Sequence, residues 1–265
     1  MSESVLCEVD PRGVATITLN RPEKRNAFDD TLIARLTSLL LDLRADGEVR
    51  VIVLTGAGSA FSAGADLNWM RGMAAYSEED NFEDALRLAD LMSVLNHLPL
   101  PTVARVNGHV FGGGVGLVAC CDIAVADRDA LFALSEVRLG LVPAVISPYV
   151  ISAIGTRHAR RFFLTGEPMT ARKARRIGLI HEIAKPSRLD EAVEDQVGML
   201  LAGGPMAIRE SKELIAMVGG NTESAAEVIT RRTAEIIAQL RVSDEGQEGL
   251  SAFLEKRSPD WSRPS

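Results

Sequence analysis

The chain is short of several things, and each shortage removes a class of function. Only 5% of its 265 residues are aromatic, too few for the stacked platforms that hold single-stranded nucleic acid. Acidic side chains outnumber basic ones, 36 to 29, for a net charge of -7. That balance argues against a nucleic-acid partner, which would need a basic surface. The three cysteines, Cys7, Cys120 and Cys121, have no metal-type spacing, and two sit side by side in an apolar run. They read as buried small hydrophobes in a reducing compartment. The four histidines are far apart, with no i, i+4 pair, so no resident metal is expected. No run of about 18 apolar residues is present to span a bilayer. The opening Met-Ser-Glu-Ser, with Glu8 and Asp10 close behind, lacks the basic and apolar parts of a secretory signal. A cytoplasmic location is therefore the expectation.

What remains is a chain that is 46% hydrophobic, enough to bury a large core. Val14 to Leu19 alternates as a strand after the turn Asp10-Pro11-Arg12-Gly13. Asp29 or Asp30 can cap a helix whose apolar face is Leu32, Leu36, Leu39, Leu40 and Leu43. Strands are expected at Val49 to Leu54, Thr102 to Val106, Asp122 to Ala126 and Ala130 to Ala133. A helix from Asn81 to Leu98 stops at Pro99, and another starts at Ser147-Pro148. After a short strand at His181 to Ala184, helices begin near Ser187, Pro205, Asn221 and Ser243.

Strand, loop and helix recur at coarse intervals of roughly 50 residues, which predicts an α/β core of repeated turns. We expect that core to run over residues 1–203. A helical C-terminal region, 204–265, follows, with Gly203-Gly204-Pro205 at the boundary.

Two glycine-rich loops each follow an apolar strand. One reaches Gly64-Ala65-Asp66, the other Gly112-Gly113-Gly114. The second opens a short apolar helix, whose first amides have no partner and whose dipole favours negative charge. Two such amides converging on one oxygen would make an oxyanion hole, worth roughly 3–4 kcal/mol per donor in a transition state. The same glycines also fit two tight turns at strand ends. The first loop is not a dinucleotide fingerprint, because Phe61 stands where a third glycine is needed.

Longer motifs decide between these readings. Leu19-Asn20-Arg21-Pro22-Glu23-Lys24-Arg25-Asn26-Ala27-Phe28 resembles the N-terminal signature of the crotonase (enoyl-CoA hydratase/isomerase) superfamily. Phe61 to Leu67 and Asn107 to Gly114 are similar to its two oxyanion segments. Ser135-Glu136-Val137-Arg138-Leu139-Gly140-Leu141-Val142-Pro143 resembles its catalytic-glutamate segment, and Gly249 to Arg257 its C-terminal helix. The resemblance spans nearly the whole chain, in order. It implies a superhelix of ββα turns, C-terminal helices that assemble a homotrimer or homohexamer, and an acyl-CoA thioester as substrate. Coenzyme A would enter as part of that substrate, with no separate cofactor. By motif position, the amides of Ala65 and Gly113 would hold the thioester oxygen, and Glu136 would move the proton. Lys24, Arg25, Ala27, Ala63, Ala65, Asp66 and Leu67 would line the CoA cleft. Phe253 and Lys256 would approach the acyl pocket and a CoA phosphate.

There is one departure. Two-glutamate hydratases of this superfamily carry a second acid where this chain has Gly116. Single-glutamate relatives include double-bond isomerases and some decarboxylases. A finer resemblance covers Gly112 to Ala124 and Glu136 to Val150. These stretches look like a bacterial subgroup of methylglutaconyl-CoA and isohexenylglutaconyl-CoA hydratases, whose substrates are β-branched and carry a second carboxylate. Hydration of such a substrate is the expectation, with double-bond isomerisation or a binding role as alternatives. Gly116 would leave room for the branch, and Arg71 would meet the distal carboxylate. Basic residues from Arg157 to Arg176 read as a solvated face, with CoA-phosphate or RNA contact as rivals.

Overall fold

In the computed structural model, residues 3–220 and 223–262 are described. The chain opens with a hairpin of β1 (Val5–Val9) and β2 (Val14–Leu19). Asp10 turns it, its side chain accepting the amides of Arg12 and Val14. Helix α1 (Asp30–Ala45) follows, capped by Asp29, whose carboxylate accepts the Leu32 amide. Its buried leucines are those the helical spacing predicts.

Three turns of strand, strand and helix then build the centre. The first holds β3 (Val51–Gly56), β4 (Ala60–Ser62), α2 (Leu67–Ala74) and α3 (Glu78–Asn96). The second is β5 (Thr102–Val106), β6 (His109–Phe111) and α4 (Gly113–Cys120). The third is β7 (Ile123–Asp127), β8 (Leu131–Ala133) and α5 (Ser147–Thr165). The first strand of each turn joins a large sheet and the second a small one. With β9 (Met169–Thr170) and, after α6 (Ala171–Arg176), β10 (Glu182–Ala184), the orders are β1-β2-β3-β5-β7-β10 and β4-β6-β8-β9. This is the superhelix of ββα turns.

β3 is buried along its length and apolar from Val51 to Leu54 because both its faces are covered, as parallel strands require. Ile52 and Leu54 enter the main core, while Val51 and Val53 pack under α7 (Leu189–Ala202) with Leu189, Val193 and Val197. The regular repeat of about 50 residues does not hold. The second turn is much the shorter because α4 has only 8 residues, whereas the first turn carries two helices.

Helices α8 (Pro205–Val218), α9 (Glu223–Val242) and α10 (Asp244–Leu254) complete the chain. The expected helix start at Asn221 lies outside the described residues. α9 lies along α3, and α10 packs on α2 and on the 3-10 turn Glu136–Leu139. The last approach is tight: a Cβ on Gly249 would stand 2.2 Å from the Leu139 carbonyl oxygen. No helix of the described residues is long and apolar enough to cross a membrane.

Candidate active site

The two glycine loops leave neighbouring strands of the small sheet, β4 and β6, which pair in parallel. Gly64 adopts φ +84° and Gly112 φ +50°, backbone conformations that only glycine takes without strain. A Cβ on Gly64 would lie 3.1 Å from the Phe111 carbonyl oxygen and 3.8 Å from Gly112 Cα. The loops therefore touch through bare backbone.

A short parallel bridge to Phe28 holds Ala65 in place. The Phe28 amide donates to the Gly64 carbonyl, and the Asp66 amide to the Phe28 carbonyl. That leaves the Ala65 amide turned away from the bridge. Gly113 begins α4, so its amide has no helical acceptor. Among the described residues neither amide donates within the chain. Both residues line the same cavity of about 490 Å³. Gly113 is also the residue that lets Phe28 close over the loop, since a Cβ there would lie 2.7 Å from its ring.

Glu136 lines this cavity too. It opens the 3-10 turn that Gly140 ends in a left-handed conformation. Its Oε1 lies 3.3 Å from the point where a Cβ on Gly112 would stand, which sets the carboxyl against the second oxyanion loop. Its Oε2 is buried and has no hydrogen-bond partner. Burial raises the Glu136 carboxyl to about 7. Among the described residues lining the cavity it is the one acid. A carboxyl poised near neutral pH can both take and return a proton, and two free amides beside it can hold the charge that forms on an oxygen.

Asp66 belongs to a different network. It accepts the Asn68 amide, capping α2, and pairs with Arg21 and Lys24, each at 2.9 Å. Arg21 also pairs with Asp29 at 2.8 Å and donates to the Ala27 carbonyl at 2.6 Å. Lys24 is thus placed beside Asp66, Arg25 is exposed in a left-handed conformation, and Ala27 is buried. Ala63 lines the cavity, while Leu67 is half exposed. Phe253 reaches the cavity from α10, whereas Lys256 is exposed and is not part of its wall.

Two expectations are corrected. Gly116 does not leave room for a branched chain. A Cβ there would lie 2.3 Å from Ile146 Cγ2 and 3.1 Å from Met92 Sδ, so Ile146 fills the space. Ile146 itself lines the cavity, and an aliphatic wall stands where two-glutamate relatives present their second acid. Nor does Arg71 meet the pocket. α2 turns Trp69, Met70 and Met73 inward, and Arg71 points to solvent with a 3.0 Å hydrogen bond to Asn68. This helix escaped the sequence reading. Its signal was Asp66 as cap, followed by Trp69, Met70 and Met73 on one helical face. Arg241 of α9, also in the cavity wall, had no sequence signal.

Comparison with known proteins bears on the same residues. A model of the enoyl-CoA hydratase/isomerase family matches residues 10–264. The chain belongs to this family. Among its relatives is a 2,3-dehydroadipyl-CoA hydratase of Escherichia coli (strain K12), 31% identical over 94% of this chain and 94% of that one. The fold is shared with a crystal structure of an enoyl-CoA hydratase from Shewanella pealeana (43% identity, TM-score 0.80, covering 97% and 96% of the two chains). It is shared as well with an enoyl-CoA hydratase from Mycobacterium avium (39% identity, TM-score 0.87, 99% and 100%).

Proposed function

We propose that this enzyme adds water to the double bond of a β-branched 2-enoyl-CoA of the 3-methylglutaconyl type. The observation that carries the reading is the desolvated Glu136 carboxyl, its Oε2 without a partner, beside two unclaimed amides. The amides of Ala65 and Gly113 hold the thioester oxygen. Glu136 takes a proton from water as the water oxygen bonds to the β-carbon. The π electrons move to the thioester oxygen as an enolate. Glu136 then returns its proton to the α-carbon as the enolate collapses, so one carboxyl serves both steps.

The branched, dicarboxylic character is supported by the subgroup motifs around Gly112 and Glu136. The Escherichia coli relative is named for another acyl-CoA with a distal acid. Cations in the cavity wall, Arg138, Arg241 and Arg257, also suit an anionic acyl chain. We read the enzyme as a cytoplasmic homotrimer or homohexamer without a separate cofactor. Exposed Met206, Leu214, Ile215, Met217 and Val218 on α8 support assembly.

One observation favours a second reading, isomerisation of a 3-enoyl-CoA. With Ile146 above Gly116, Glu136 has no second acid among the described residues of the cavity wall to help orient water, and a lone carboxyl suffices to shuttle a proton between carbons.

A panel assay separates the two. 3-Methylglutaconyl-CoA, crotonyl-CoA and a 3-enoyl-CoA are followed for water addition and for double-bond migration. The expected result is hydration, fastest on 3-methylglutaconyl-CoA. Migration without hydration would transfer the assignment to the isomerase.

A further inference from the structure

α9 presents Ile237 and Arg241, one helical turn apart, to the cavity. Arg241 is a charged side chain only 7% exposed. Its Nη1 donates to Asp84 Oδ2 at 2.9 Å and to Asn81 Oδ1 at 3.3 Å, both on α3. Asp84 is not its alone, because Asp84 Oδ1 pairs with Arg87 at 3.1 Å. Two guanidinium groups thus share one carboxylate, and Arg241 Nε is buried with no acceptor. Burial pulls the Arg241 pKa below its usual value, and the Asp84 charge restores only part of it. A buried cation with a spare donor calls for an anion.

The other cations of the wall are less available. Arg257 is forked onto Glu248 at 2.6 and 2.7 Å. Arg138 is exposed, with Nε against the Gly166 cap at the end of α5. Among the three, Arg241 combines burial, charge and an unused donor.

We propose that Arg241 is the receptor for a carboxylate at the far end of the acyl chain, taken up through Nε. This rests on the reading of the cavity as an acyl-CoA site and names the residue that selects a dicarboxylic acyl group. The planar guanidinium suits a carboxylate oxygen, and the second anion balances the two cations around Asp84. The rest of the arrangement gives positioning. Asp84 and Asn81 fix one edge of the guanidinium, and Asn81 is in turn tied to the carbonyls of Met73, Tyr76 and Ser77.

A purely mechanical role, stapling α9 to α3, makes a different forecast, and binding measurements separate the two. Calorimetry with 3-methylglutaryl-CoA and isovaleryl-CoA compares two saturated esters that differ by one distal carboxylate and cannot be hydrated. The native enzyme should bind the first at least about tenfold more tightly. Arg241→Met should abolish that preference and leave isovaleryl-CoA affinity within about threefold. Asp84→Asn cuts the same ion pair but keeps the cation, so the preference should survive. Equal weakening of both esters by both variants would reveal a staple and overturn the proposal. Should a variant not fold, a structure of the native enzyme with 3-methylglutaryl-CoA decides, and a carboxylate outside hydrogen-bond reach of Nε overturns it. Failure of both esters to bind the native enzyme would instead sink the CoA-ester reading beneath it.

Discussion

Asp66 and Glu136 are two buried carboxylates on loops that enter the same site, and they have opposite fates. Asp66 is saturated by Arg21, Lys24 and the Asn68 amide. Burial pushes its carboxyl up, but the hydrogen bonds from Lys24 and Asn68 and the charges of Lys24 and Arg21 outweigh that and hold it below the usual range. Glu136 has burial offset only by a hydrogen bond from its own backbone amide, so its carboxyl rises to about 7 and Oε2 stays unpaired. Charged neighbours set the two acids apart: Asp66 has two cations against it, while no cation is among the causes that shift Glu136. One carboxylate ties the Arg21 to Lys24 loop to the start of α2; the other keeps an oxygen without a partner.

The comparison breaks first on turnover. Glu136→Gln keeps the shape and removes the base, so kcat should fall on the order of 10²–10⁴-fold. Affinity for an acyl-CoA should stay within about threefold. A variant that retains full turnover would sink the mechanism. Asp66→Ala should do the reverse. It takes one of two carboxylates from Arg21, which keeps Asp29 at 2.8 Å, and it uncaps α2. The lost pair and the lost cap together should cost about 1–3 kcal/mol, read as a fall in the urea midpoint. A stable Asp66→Ala enzyme with impaired chemistry would erase the distinction.

How much of this contrast was legible beforehand follows from its physics. Glu136, Ala65 and Gly113 were legible as candidates because each stands in a short motif of distinctive residues. The large sheet was legible because β3 and β5 are mostly apolar, β-branched segments bounded by turns. α1 was legible because its leucines keep helical spacing. β1 went unread because its exposed positions, Leu6, Glu8 and Val9, blur the alternation. β4 is only 3 residues long. The partners of Asp66 come partly from the N-terminal signature, but the Asp84–Arg241 pair joins helices 157 residues apart, beyond the reach of any local pattern. Gly116 was misread for a related reason. A glycine looks like space, and only packing shows that Ile146 already occupies it.

That contact sharpens the Glu136 side of the comparison, since Ile146 belongs to the apolar wall around the reactive acid. Gly116→Ala would place its methyl 2.3 Å from Ile146 Cγ2, an overpacking expected to cost about 1–3 kcal/mol. Removing Cγ2 with Ile146→Ala should relieve part of it. Thermal unfolding of the two single variants and the double variant checks this. Additive losses would mean that the two positions do not meet.

The smallest effect is the most specific, because it sets the two acids at opposite ends of a pH scale. The Glu136 carboxyl is raised in the folded state, so between about 4.5 and about 7 the folded chain holds a proton that the unfolded chain has lost. Its contribution to stability is therefore fully present below the ordinary glutamate value and is lost as pH rises through about 7. Glu136→Gln does not titrate, so its stability relative to the native enzyme should grow from pH 5 to pH 8, by something on the order of 1 kcal/mol. Asp66 is depressed, so its contribution is present above the ordinary aspartate value of 3.8 and is lost as pH falls through the lower folded value. Asp66→Ala should thus lose its disadvantage only in acid, while Glu136→Gln gains only above pH 5. The free enzyme's kcat/KM should rise with pH through about 7 as Glu136 ionises, since hydration begins with the base form. Urea melts of the native enzyme and both variants across pH 3 to 8 read all of this. Parallel curves for Glu136→Gln and the native enzyme would mean that Glu136 is as well solvated as a surface acid, and the contrast with Asp66 would be gone.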